Sequence, residues 1–252
     1  MLVVSVLLLA LAACNQADTI QKFASPADQA LAKNYIELLR QKRFEDIEKA
    51  ADPSIAGASL HETLVKMATY FPPGEPSSIA LVGAHRMNAD DASTVNLTFE
   101  YGFSGKWILT NVAVKHHGGK ATIIGFSVVA QSASLEEKNR FTLNGKTATQ
   151  YLVLALAVVV ALLTLIALFV CVRTPFKGRK WPWVLCVMVG FGKFSVNWTT
   201  GSWAFTPLAF QLFSASAFAP PYGQWTVAIS LPLGATIFLV LRRKLSAAAI
   251  EN

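Results

Sequence analysis

Hydrophobic positions along this 252-residue chain fall into three regimes, and each predicts a different kind of element. Leu2 to Leu11 form an apolar run of about ten residues, interrupted only by Ser5 and too short to cross a hydrocarbon core of about 30 Å. From Ser25 onward the apolar residues become spaced. Leu31, Tyr35, Leu38 and Leu39 recur at helical intervals behind Ser25, Pro26, Ala27 and Asp28, which combine a cap with a proline in the first turn. Arg40, Lys42 and Arg43 close that helix at the end where its dipole favours cations. Phe44 to Ala50 predicts a second, short helix, and Ser59 to Tyr70 a third with Leu60, Leu64, Met67 and Ala68 inward. The prolines in Phe71 to Pro76 end the helical series, and the period then drops to two. Ser78–Val82, Thr94–Phe103, Trp107–Lys115 and Ala121–Ala130 read as strands, with Val95, Leu97, Phe99 and Tyr101 alternating on one face. His116, His117, Gly118 and Gly119 read as a hairpin tip.

The third regime starts near Ala148 and consists of long apolar runs. Tyr151 to Val172 carries no charge over 22 residues, enough to span a bilayer at about 1.5 Å per residue. Runs at about 181–197 and 224–241 read as second and third spans, and 203–219 as an interfacial or shallow re-entrant element. Arg173, Lys177, Arg179 and Lys180 follow the first span, and Arg242, Arg243 and Lys244 the third. The positive-inside tendency puts both clusters on the cytoplasmic side. Tryptophans 181, 183, 198, 203 and 225 lie near the expected headgroup levels. The expected topology is a multi-pass protein of a cytoplasmic (inner) membrane, with its N-terminal domain extracytoplasmic and its C-terminus cytoplasmic. Lys193 falls inside the second span, where its charge either snorkels to the headgroups or serves a function.

Charge divides along the same line. Asn15 to Thr147 holds fourteen basic and fourteen acidic residues, whereas from Ala148 onward eight basic residues face a single acid, Glu251. The net charge of +7 thus belongs to the apolar part and reads as topology, which excludes nucleic acid as the partner. Membrane lipid is the expected partner, together with other membrane or envelope proteins. Of the three cysteines, Cys171 and Cys186 lie in apolar surroundings near the proposed inner boundary and read as reduced thiols.

Leu11, Ala12, Ala13 and Cys14 close the first apolar run in a way that resembles a bacterial lipoprotein signal peptide, although the basic leader of such signals is missing. The resemblance implies a signal at 1–13, a lipid on Cys14 and a tether over 14–25. Over about 26–132, three helices followed by an antiparallel meander resemble the nuclear-transport-factor-like and cystatin-like rolls. That resemblance implies a sheet curled round the longest helix with a conical pocket. The expected fold class is an α+β extracytoplasmic domain at 26–147, N-terminal helices plus a four-stranded antiparallel sheet, followed by an all-α transmembrane region at 148–252.

Enzymatic relatives of such rolls carry an inward Asp and His pair. His85 beside Arg86 and His61 before Glu62 are the candidates, and neither is placed next to an inward carboxylate. Glu100 lies on the strand face opposite Leu97 and Phe99 and reads as exposed. Adjacent His116 and His117 read as a surface tip whose side chains point apart, and no other His or Cys stands at metal-ligand spacing. No phosphate-binding loop, dinucleotide fingerprint or nucleophile elbow is present, so no cofactor is expected. The expected function is that of a membrane-anchored binding or accessory protein of the bacterial cell envelope. The alternatives are a small pocket enzyme on the same roll and a subunit of a larger transport or signalling complex.

Overall fold

The computed structural model describes residues 20, 23–57, 59–89, 92–175 and 179–247, which divide into two compact units, Met1–Lys138 and Asn139–Asn252. Cys14 and Lys177 lie outside the described residues.

The first unit opens with helix α1, Pro26–Arg40. Ser25 caps it by accepting the Asp28 N–H at 3.1 Å, and Pro26 occupies a first-turn position whose N–H has no helical partner to lose. Helices α2, Phe44–Ala50, and α3, Leu60–Ala68, follow. Strands β1 (Ser78–Ala89), β2 (Ala92–Phe103), β3 (Lys106–His117) and β4 (Lys120–Gln131) form an antiparallel sheet in that order, and a single turn of helix, α4 (Leu135–Lys138), ends the unit. One face of the sheet is sealed by the helices: Val95, Leu97, Phe99, Ile108, Val112 and Val114 pack with Ile36, Leu39, Ile47 and Leu64, all at most 1% exposed. The Tyr35 hydroxyl crosses this core to donate to the Ile47 carbonyl at 3.1 Å.

In the second unit, α5 (Ala148–Arg173) begins with a capping box in which Thr147 and Gln150 bond each other's backbone N–H. Leu152, Val158, Val159, Leu162, Ile166, Phe169 and Val172 are more than half exposed along it. Its other side packs twice: Val153 and Ala157 against Val196, Trp198 and Val227, then Ala167 and Cys171 against Val187, Ala235 and Phe238. Short helix α6 (Trp181–Met188) runs straight into strand β5 (Val189–Asn197). Strands β6 (Trp203–Leu212), β7 (Ala215–Phe218) and β8 (Thr226–Leu231) complete a second antiparallel sheet in the order β6-β5-β8-β7, before α7 (Leu233–Ala247). Phe213 and Ser214, both at positive φ, join the two edges of this sheet in a two-residue turn.

This unit corrects the expected all-α transmembrane region and, with it, the multi-pass topology. The stretch 181–197 is helical only to Met188, and 224–241 is a strand to Leu231 broken by Pro232, whose carbonyl then accepts the Thr236 N–H of α7. Eight and fifteen helical residues reach about 12 and 22 Å, short of a hydrocarbon core of about 30 Å. The segment expected to be interfacial or re-entrant is strands β6 and β7. Among the helices of the described residues, α5 alone is long and apolar enough to cross a membrane.

Candidate functional site

Alternation along β3 carries the buried face through Ile108, Thr110, Val112 and Val114 to His116, two residues beyond the apolar core. Pairing extends the same face sideways. Val95 lies between Arg86 on β1 and Val114 on β3, and Ser93 between Asn88 and His116. The inner face of the sheet therefore turns from apolar to polar at its hairpin end, where Arg86, Asn88, Ser93 and His116 succeed the core residues. The first turn of α1 delivers Asp28 to the same place.

Asp28 is 2% exposed, and its Oδ1 lies 2.7 Å from His116 Nε2 while its Oδ2 lies 3.6 Å from an Arg86 guanidinium nitrogen. These are close contacts and not aligned hydrogen bonds: Asp28 Oδ2 and His116 Nε2 are sealed from solvent without a well-directed partner. Burying a carboxylate is costly unless positive charge offsets it, and here the Arg86 guanidinium and the N-terminal dipole of α1 do so. Arg86 and His116 are each 35% exposed, so the group reaches the surface. It opens beside a recess of about 360 Å³ lined by Asn88, Ser93, His116, His117, Gly118 and Gly119, among others. A carboxylate holding one imidazole nitrogen leaves the other nitrogen for a ligand, and the neighbouring guanidinium adds a donor for an anionic or carbonyl oxygen.

The other candidates fall elsewhere. His85 pairs with Asn96 on the outer face and is exposed. His61 Nδ1 lies 2.7 Å from Glu48 Oε1, an exposed pair on the helical surface that packs against Phe44. Glu100, expected to be exposed, is 5% exposed, because its carboxylate accepts the Leu135 N–H of α4 at 2.6 Å. His117 is exposed while His116 is drawn under by Asp28. Among the described residues no three His, Cys, Asp or Glu side chains stand close enough together to hold a metal ion.

A larger groove of about 640 Å³ lies between the end of α1, α3 and the loop 71–75. Its Arg40 is already engaged, by Glu37 at 2.5 Å, Glu75 at 3.2 Å and the Gly74 carbonyl at 2.8 Å. Burial pushes the nearby Tyr101 hydroxyl up to about 12, an effect the Arg40 charge partly opposes. Tyr35 is likewise raised to about 12 by burial. Asp52 moves the other way, to about 2, held down first by Ser54 hydrogen bonds and then by the Thr122 hydroxyl of β4.

In the second unit, Lys193 sits on β5 opposite Thr206, on the face it shares with Ser195 and Ser216, while Phe194, Val196, Phe205 and Ile229 occupy the apolar face. A polar sheet face, in place of a spanning helix, accounts for the charge in this apolar stretch. Trp198, expected at a headgroup boundary, is a core residue at 1% exposure whose indole N–H donates to the Thr142 carbonyl at 2.7 Å. Arg173 ends α5, Arg179 and Lys180 precede α6, and Arg242, Arg243 and Lys244 lie in the second half of α7; all six are exposed.

No family model, curated protein or solved structure matches the chain.

Proposed function

We propose that the chain is a membrane-tethered binding or accessory protein, with α5 as the tether and the helix-on-sheet unit as the recognition module. The observation that carries this reading is α5 itself: 26 residues, uncharged from Ala148 to Val172, with a row of large apolar side chains more than half exposed. Such a surface is unfavourable in water and matched to lipid. The polar cluster of Asp28, Arg86 and His116 at the edge of the packed core supports recognition at the surface of the first unit. Alkaline carbonate extraction tests the tether. Wild-type protein is expected to stay with the membrane pellet and Val159→Lys/Ile166→Lys to leave it; wild type in the supernatant overturns the proposal.

The Asp28, His116 and Arg86 cluster favours a second reading, acid–base chemistry on a small polar molecule at the mouth of the first unit. It predicts that a ligand found by thermal-shift screening of the full chain is chemically altered by it. Asp28→Asn and His116→Gln should stop that alteration. Recovery of the ligand unchanged from the wild-type protein sinks this reading.

A further inference from the structure

Helices α6 and α7 run antiparallel in close contact. Gly234 lies against the Cys186 carbonyl, where an added Cβ would sit only 1.7 Å from the oxygen, and Trp183 meets Phe238 with ring centroids 5.9 Å apart. Continuing that register by one turn brings Arg179 and Lys180 level with Arg242. Helix α5 ends at the same place, because the Lys180 ammonium donates to the Val172 carbonyl at 3.3 Å. Arg173, Arg179, Arg242, Arg243 and Lys244 therefore converge on one end of the three packed helices, all exposed. From Asn139 onward the sequence carries one acidic side chain, Glu251, against these cations. From Pro182, near this end, to Val189 and Leu233 at the other, a recess of about 470 Å³ runs along α6 and α7, walled also by Leu185, Cys186 and Ile237.

We propose that this basic end binds the phosphate-bearing headgroup of an anionic phospholipid, with an acyl chain lying in the α6–α7 recess. The inference rests on the membrane reading above. Charge decides the headgroup: clustered guanidinium groups repel one another unless a counter-charge is supplied, and guanidinium geometry matches phosphate oxygens. Position decides the source, because an apolar trough beside the cations suits a phosphate that carries a hydrocarbon chain and gives nothing to a free one. Basic residues bordering a membrane attract anionic lipid by amounts that accumulate with each residue.

The test is native mass spectrometry of the full chain released from nanodiscs holding equal phosphatidylglycerol and phosphatidylcholine. Wild type is expected to retain phosphatidylglycerol preferentially. Arg242→Gln/Arg243→Gln should cut that preference at least about fivefold, since each cation near the surface contributes about that factor. Arg140→Gln/Lys146→Gln removes the same charge from the segment preceding α5 and should leave the preference intact. Equal retention of the two lipids, an equal effect of the control pair, or displacement of the bound lipid by inorganic phosphate overturns the proposal. A chain that fails to enter nanodiscs of phosphatidylcholine alone defeats the tether reading, whereas entry without lipid preference defeats only this site.

Discussion

Removing Arg86 isolates the buried carboxylate of Asp28, and the size of that effect can be worked from the geometry. At an effective dielectric constant of about 20, unit charges 3.6 Å apart attract by about 5 kcal/mol. Desolvation of the 2%-exposed carboxylate offsets much of this, and Arg86, itself 35% exposed, keeps part of its hydration in either state. A net coupling of about 1–2 kcal/mol remains. Arg86→Met should therefore destabilise the first unit by about 2 kcal/mol and Asp28→Asn by about 1 kcal/mol. The double variant should cost clearly less than the sum, because Arg86→Met has no buried charge to strand once Asp28 is amide. Hydrogen exchange of peptides from β2 and β3, measured on the full chain in micelles, reads the opening free energy of this unit without interference from the second. Additivity within about 0.3 kcal/mol would refute the coupling and reduce the cluster to a coincidence of neighbours.

Three further outcomes follow from contacts elsewhere. Gln150→Ala removes a reciprocal cap and the amide donation to the Trp198 carbonyl at 2.7 Å, and should cost the second unit about 1–2 kcal/mol by exchange at the start of α5. Gly190→Ala places a Cβ 2.1 Å from Ser230 Oγ and 2.5 Å from Ser214 Oγ, so an overpacking loss of about 1–3 kcal/mol should appear as faster exchange in β5 and β8. Asp52, lowered from 3.8 to about 2 in the folded chain, favours folding above about pH 4, and that contribution fades as pH falls towards 2. Wild type should then be the more stable of wild type and Asp52→Asn at pH 7 in denaturant titrations, with the gap closing near pH 2.

The helices and strands of the first unit are legible because apolar spacing and burial coincide there: Tyr35, Leu39, Leu64, Val95, Leu97 and Phe99 are all core. Its candidate site was half legible. Extending the β3 alternation by two residues places His116 on the inner face, but treating His116 and His117 as a loose tip hides it. Arg86 was out of reach, since the register shift between Leu81 and Gly83 decides which β1 residues face inward. Asp28 reads as a helix-start residue, and nothing local says that the end of the sheet closes over it. The second unit is less legible for a different reason. Its run lengths suggest spans, whereas Lys193, Ser195 and Asn197 alternate with Phe194 and Val196, the signature of a two-faced strand. Pro232 likewise marks the change from strand to helix inside what hydropathy alone makes one span.

Spin labels placed singly at Leu152, Val159, Ile166 and Val172 of the full chain in vesicles test the tether most directly, through collision with oxygen, which concentrates in lipid, and with a water-soluble nickel chelate. The account predicts oxygen dominance at Val159 and Ile166 that declines towards Leu152 and Val172, the profile of a helix crossing the bilayer once. Dominance of the chelate at all four positions would contradict it.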